Sequence, residues 1–155
     1  MTSVELQNLI TELLQSAGFA ASSIENNIDE SDGTYWFAVK LDNPKLLIGK
    51  NGEHLQALNV LVRKIVEVKM PENPVRVVVD INNYQRERVE SVKQVAHMMA
   101  ERARYFKSSV EVDPMTAYER RIVHDFLKDH SDLKTESTGE GKDRRVVIKY
   151  IGTLS

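Results

Sequence analysis

The sequence predicts an α+β protein built from two small domains. Helical and alternating apolar spacings follow one another along the chain, with Gly and Pro at the breaks between them. The charge changes sign near residue 82: residues 1–82 hold 7 basic and 11 acidic side chains, net −4, and residues 83–155 hold 14 and 12, net +2. At 155 residues, 41% apolar and 28% charged, the chain has room for one ordinary domain or two small ones. The expected boundary lies between residues 82 and 83.

In the first half, Leu6, Leu9, Ile10, Leu13, Leu14 and Ala17 recur at helical spacing. Thr2 and Glu5 have capping-box spacing, and Gly18 is a natural stop. Residues 19–29 are weakly strand-like, and Asp32 and Gly33 mark a turn. Tyr35, Phe37, Val39 and Leu41 then alternate with Trp36, Ala38 and Lys40, the pattern of a half-buried strand. A short apolar stretch at Leu46, Leu47 and Ile48 leads into Gly49-Lys50-Asn51-Gly52. From Glu53 to about Lys69 a helix shows the stripe Leu55, Leu58, Leu61, Val62, Ile65 and Val66, closed by Pro71 and Pro74. Val75, Val77, Val79 and Ile81 alternate as a final strand. The order is helix, strand, strand, short helix, helix, strand.

In the second half a long helix is expected from residue 84 to about 107, with Val92, Val95, Ala96, Met99, Ala103 and Phe106 on its buried face. A short strand at 109–112 and Pro114 precede a helix from 116 to about 130. Strands at 133–137 and 144–151 follow, joined by a loop holding Gly139 and Gly141.

The absence of cysteine excludes disulfides, thiolate metal sites and thiol nucleophiles, and fits a reducing compartment. No apolar run approaches the ~18 residues of a membrane span. The first 14 residues carry Glu5 and Glu12 without Lys or Arg, which is wrong for a signal peptide. The expectation is a cytoplasmic protein with no membrane partner and no cofactor. No Walker loop, dinucleotide fingerprint or nucleophile elbow is present, and the four histidines form no metal-ligand pair.

Gly49-Lys50-Asn51-Gly52 is one of two informative stretches. Glycine permits backbone conformations that a Cβ forbids. A helix starting at the second glycine turns its N–H groups toward the loop, and Lys50 adds a positive charge, a combination suited to a sugar-phosphate backbone. On spacing alone, a plain helix–helix turn with Gly49 as a C-cap is the alternative. With a strand on either side, LLIGKNGEHLQALNVLVRKIV resembles a KH domain of type II topology. That resemblance implies a loop clamping about four nucleotides of a single strand, beside an apolar groove to which Ile48, Leu55 and Val79 are candidates. The loop has one cation, Lys50, where such domains often have two. Weak affinity is therefore expected from this half alone.

The other stretch is PMTAYERRIVHDFL. Thr116 and Glu119 have capping-box spacing, giving Glu119 a structural task. Arg120 and His124 share a helix face at i, i+4, at the edge of the arc formed by Ile122, Val123, Phe126 and Leu127. A guanidinium suits bidentate phosphate binding, and an imidazole can donate to phosphate or stack on a base. Taken as an isolated pair, a solvated Arg120 and a locally hydrogen-bonded His124 is the alternative. Arg144 or Arg145 is expected to join them; Thr135 and Ser137 could add hydroxyl donors. The remaining helix arginines, Arg86, Arg88, Arg102 and Arg104, are expected to be mostly solvated.

An Arg, three residues and a His at a helix start resemble the R-three-H domain, a binder of single-stranded nucleic acid. From about residue 5 to 150, the KH-like half, NNYQRERVESVKQVAHMMAERA, DPMTAYERRIVH and TESTGEGKDRRVVI together resemble the bacterial Jag, or SpoIIIJ-associated (KhpB), family. The resemblance implies a non-enzymatic post-transcriptional regulator or RNA chaperone that lacks the family's N-terminal Jag domain. Its implied contacts are Gly49, Lys50, Asn51, Gly52, Arg120, His124, Arg144 and Arg145. The implied partner is single-stranded RNA, with single-stranded DNA as an alternative, and a small KH protein or a second copy as a protein partner. Two other readings compete: a metal-independent ribonuclease with His124 as base, which would need Glu119 or Asp125 beside it, and a protein-interaction scaffold.

Overall fold

The computed structural model describes residues 1–152 of the chain. They divide into two compact units, with the break between Arg86 and Glu87. The α+β class is as the sequence predicts: five α-helices and two three-stranded sheets among the described residues.

The first unit begins with α1 (Ser3–Ser16). Thr2 Oγ1 accepts from the Glu5 amide at 3.2 Å, and the Glu5 carboxylate accepts from the Thr2 amide at 2.6 Å, a closed capping box. β1 (Ser23–Ile28) and β2 (Tyr35–Lys40) form an antiparallel hairpin. β3 (Val77–Ile81) lies parallel to β2, so the chain must cross over between them. It does so through α2 (Lys45–Ile48) and α3 (Glu53–Lys69). Leu6, Ile10 and Leu14 from α1 and Leu55, Val62 and Val66 from α3 form one core with Phe37, Val39, Val79 and Ile81. Leu55 and Val79 are thus core residues and line no groove. Leu61 is about half exposed, because it lies one residue, some 100°, round the helix from buried Val62.

Two polar side chains finish this sheet. Asn59 on α3 accepts from the Val79 amide and donates to the Val79 carbonyl, both at 2.8 Å, closing the outer edge of β3. Asp80 is buried within β3, and its carboxylate accepts from the amides of Ile81, Gln85 and Arg86. The anion therefore sits at the N-terminus of α4 (Tyr84–Phe106), where the amides and the helix dipole both favour it.

The second unit contains most of α4, then β4 (Val110–Glu111), α5 (Ala117–Leu127), β5 (Leu133–Thr138) and β6 (Arg145–Tyr150). Its antiparallel sheet has the order β4-β6-β5. Val92, Ala96, Ala100 and Ala103 of α4 pack with Val123 and Leu127 of α5 and with Val146 and Ile148 of β6. Three alanines on that stripe allow close backbone approach. Phe106 does not join it: the last α4 residue in the core is Ala103, and Phe106 is 61% exposed. No helix among the described residues is long and apolar enough to cross a membrane.

Two of the helix arginines are not solvated decoration. Arg88 pairs with the buried Glu119 carboxylate at 2.5 Å. Arg104 grips Asp132 with two guanidinium nitrogens, at 2.6 and 3.0 Å, and a third contact reaches His130 Nδ1 at 2.8 Å. This fixes the end of α4 to the entrance of β5. The Arg104 hydrogen bond holds the Asp132 carboxyl below its ordinary value of 3.8. A depressed carboxylate stabilises the folded state above its unfolded pKa, and that contribution fades as pH falls through the lower folded value. Asp132→Asn should therefore lower the melting temperature at pH 7, with the gap to the parent chain closing below pH 3.8. Thermal melts across pH 2–7 check this; a gap independent of pH would refute it.

Candidate nucleic-acid interface

The glycine loop is shaped by two positive-φ glycines and their neighbours. Gly49 (φ +75°) ends α2, its amide bonded to the Lys45 carbonyl, and Gly52 (φ +78°) precedes α3 in the left-handed region. Asn51 between them is also left-handed, at φ +54°. Gly49 is thus a C-cap, as the plain turn requires, yet it also meets a close neighbour. A Cβ there would lie 2.6 Å from the His54 ring, and a Cβ at Gly52 would lie 2.8 Å from the Tyr84 ring. His54 is held over the loop by its Nδ1, 2.6 Å from the Leu46 carbonyl. A carbonyl only accepts, so Nδ1 carries the proton. The Gly52 amide bonds the Gly49 carbonyl and the Glu53 amide bonds the Lys50 carbonyl. The amide after Gly52 is therefore spent inside the loop. Lys50 is exposed and has no ion-pair partner among the described residues.

The second set of residues is assembled at the start of α5. Thr116 and Glu119 form the expected capping box, each side chain accepting from the other's amide. Glu119 is buried and also takes Arg88. One turn on, Arg120 Nη1 donates to the Met115 carbonyl at 2.8 Å. The Met115 amide in turn donates to the Arg144 carbonyl, and Arg144 Nη1 donates to the Gly139 carbonyl at 2.9 Å. Two half-buried guanidiniums are thereby anchored, each by a single N–H to a backbone carbonyl: Arg120 on Met115 and Arg144 on Gly139. Their other donors have no partner among the described residues.

His124, one turn beyond Arg120, has Nδ1 2.6 Å from Thr135 Oγ1 and Nε2 3.0 Å from Ser137 Oγ. The two hydroxyls serve the imidazole and are not spare donors. In the β5–β6 register Thr135 opposes Ile148 and Ser137 opposes Val146, so both face the helices. Arg145 opposes Thr138 and shares the other face with Val147 and Lys149. There it pairs with Glu111 at 2.9 Å, while Lys149 pairs with Glu136 at 2.7 Å. The Arg144 backbone meets Met115, whose carbonyl holds Arg120, whereas Arg145 turns to Glu111, because successive residues of an extended chain point to opposite sides.

Residues 90–150, the segment holding this cluster, match the family model of the R-three-H domain. They form an R-three-H domain. It includes Arg120, His124 and Arg144 together with the hydroxyls that hold the imidazole. Over a longer stretch the chain is similar to proteins named RNA-binding protein KhpB. That of Bacillus subtilis (strain 168) is 33% identical over 132 residues, 84% of this chain and 63% of the relative. That of Clostridium symbiosum is 34% identical over 146 residues, 92% of this chain and 65% of the relative. That of Lactiplantibacillus plantarum is 29% identical over 124 residues, 79% and 38% of the two chains. The chain spans just under two thirds of the length of the first two.

His54, Tyr84 and Arg88 are supporting residues that spacing did not single out. His54 could have been found from its position at the start of α3. Tyr84 lies 32 residues from Gly52 and Arg88 lies 31 from Glu119, and no local pattern connects them. The loop geometry carries a double-mutant test. Gly52→Ala places a Cβ against Tyr84 and a side chain at positive φ, and should cost at least ~1–2 kcal/mol from the backbone alone. Gly52→Ala combined with Tyr84→Ala should recover the steric part and leave the backbone part, as read from urea unfolding of the four chains. Strict additivity would mean that Tyr84 does not constrain the loop.

Proposed function

We propose that this protein binds single-stranded RNA through two modules, without catalysis. The first unit acts as a type II KH domain offering Gly49, Lys50, Asn51 and Gly52, and the R-three-H domain offers Arg120, His124 and Arg144. The observation that carries the reading is the pair of half-buried guanidiniums within the R-three-H domain, Arg120 held on the Met115 carbonyl and Arg144 on the Gly139 carbonyl. Each is positioned by one backbone carbonyl and retains N–H donors for a phosphate, a geometry that supports charge-assisted bidentate contacts. The relatives' shared name, RNA-binding protein, favours RNA over DNA. Parallel pairing of β2 and β3 across α2 and α3, with the GxxG turn between those helices, supports the KH assignment.

Binding is favoured over cleavage by two contacts. Both ring nitrogens of His124 are engaged by hydroxyls, and Glu119 is committed to its cap and to Arg88. Neither is poised as an acid–base pair. The absence of cysteine agrees with action in the cytoplasm. A protein contact is a second reading for α3, where Val60, Leu61 and Val68 are 42%, 48% and 81% exposed. Light scattering over a concentration series tests self-association, and a constant monomer mass would remove the second copy from this reading.

Each module binds weakly, and their linkage raises the effective concentration of the second contact. With Arg145 turned away, Lys50, Arg120 and Arg144 remain as phosphate ligands. Three neutralised phosphates on a single strand give a slope of log K against log salt of about −2. Fluorescence anisotropy with an unstructured oligoribonucleotide should show a slope at least this steep; one near zero would contradict the mechanism. Arg120→Ala should weaken binding by ~1–3 kcal/mol. Replacing Lys50 and Asn51 by Asp should weaken it without altering the melt. Unchanged affinity in either variant would remove that site from the interface.

A further inference from the structure

The last turn of α4 exposes two adjacent aromatic rings. Tyr105 is 82% and Phe106 61% exposed. The rings stand edge to face, with centroids 5.0 Å apart and an interplanar angle of 87°, the mutual orientation that aromatic quadrupoles favour. Leaving two large rings in water is unfavourable unless something covers them. Cations flank them. Arg102 precedes Tyr105 by three residues and Phe106 by four, so its stem lies on the same helix surface. Lys107 follows directly and ends the helix at φ +49°, a position where glycine is the ordinary choice. Neither Arg102 nor Lys107 has an ion-pair or hydrogen-bonding side-chain partner among the described residues, whereas neighbouring Arg104 is fully committed to Asp132, Glu101 and His130.

We infer that Tyr105 and Phe106, with Arg102 and Lys107, form a base-stacking platform for single-stranded nucleic acid within the R-three-H domain. The inference rests on the RNA-binding reading and extends it to a surface separate from the guanidinium pair. Rings that stack bases, interleaved with cations that follow the phosphates, are the physical requirement for single-strand binding without sequence readout. Charge decides between this occupant and an apolar protein face: two unpaired cations beside the rings complement a polyanion. The platform is tied to the strand that holds His124: Arg104, one residue before Tyr105, is bound to Asp132 just ahead of β5, and Thr135 of β5 contacts His124.

The test uses the full chain, a fluorescein-labelled 12-nucleotide oligouridine and an abasic strand of the same length. Y105A/F106A should weaken oligouridine binding about tenfold or more and change abasic binding by less than about twofold. Y105F/F106Y, which keeps both rings, should bind like the parent. R102A/K107A should weaken binding to both strands and reduce the salt slope by about 1.4. If Y105A/F106A binds oligouridine as the parent does while Arg120→Ala still loses affinity, the platform is refuted and the RNA reading stands. Should the parent chain bind neither strand, both fall. Loss of self-association in Y105A/F106A with RNA affinity unchanged would assign the rings to a protein contact and equally overturn the proposal.

Discussion

The cluster on α5 depends on one buried carboxylate. Glu119 receives the amide of Thr116 and the guanidinium of Arg88 while being almost excluded from solvent. A carboxylate in that position is tolerable only because each partner is a donor, one at a helix N-terminus and one charged. The contact sets where α5 begins and how it is rotated against α4. Arg120 and His124 inherit their direction from it, since they are one and five residues further along the same rigid helix. The side chains proposed to face a ligand are thus set by a residue with no proposed contact to one.

A similar division holds in the first unit. The Gly49 to Gly52 turn carries a single exposed cation, but its shape is imposed by His54 and Tyr84, whose rings occupy the space a Cβ would need. The loop is narrow because neighbours fill it, and the Glu53 amide is consumed within it. What the turn presents outward is Lys50 and a tightly bent backbone. With a net charge of −4 over residues 1–82, this unit would offer a polyanion shape more than attraction. The R-three-H domain has the more favourable charge and two anchored guanidiniums.

The histidine shows how a pairwise motif acquires tertiary partners. The i, i+4 separation of Arg120 and His124 places both on one face, and that much is local geometry. The imidazole is then held between Thr135 and Ser137, which reach it because β5 runs beside α5 with alternate residues facing the helix. The same alternation separates Arg144 from Arg145: adjacent in sequence, one lies with Met115 and Gly139 and the other with Glu111 on the reverse of the sheet. A basic dipeptide looks like one patch in a string of letters and becomes two where an extended chain enters a strand.

Local pattern alone determined a good deal here. Periodicity and punctuation gave the element order, both capping boxes and the GxxG turn, because each depends on residues within about one helical turn or one strand pleat of one another. The α+β class and the Arg120–His124 face were legible for the same reason. Tertiary structure decided the rest. Asp80 as a buried helix cap, Asn59 closing the edge of β3, Arg88 on Glu119, the loss of Phe106 from the core and the side taken by Arg145 all depend on which distant element lies alongside. Sequence spacing carries no information about that neighbour, and burial, hydrogen bonding and charge pairing are properties of the neighbour as much as of the residue.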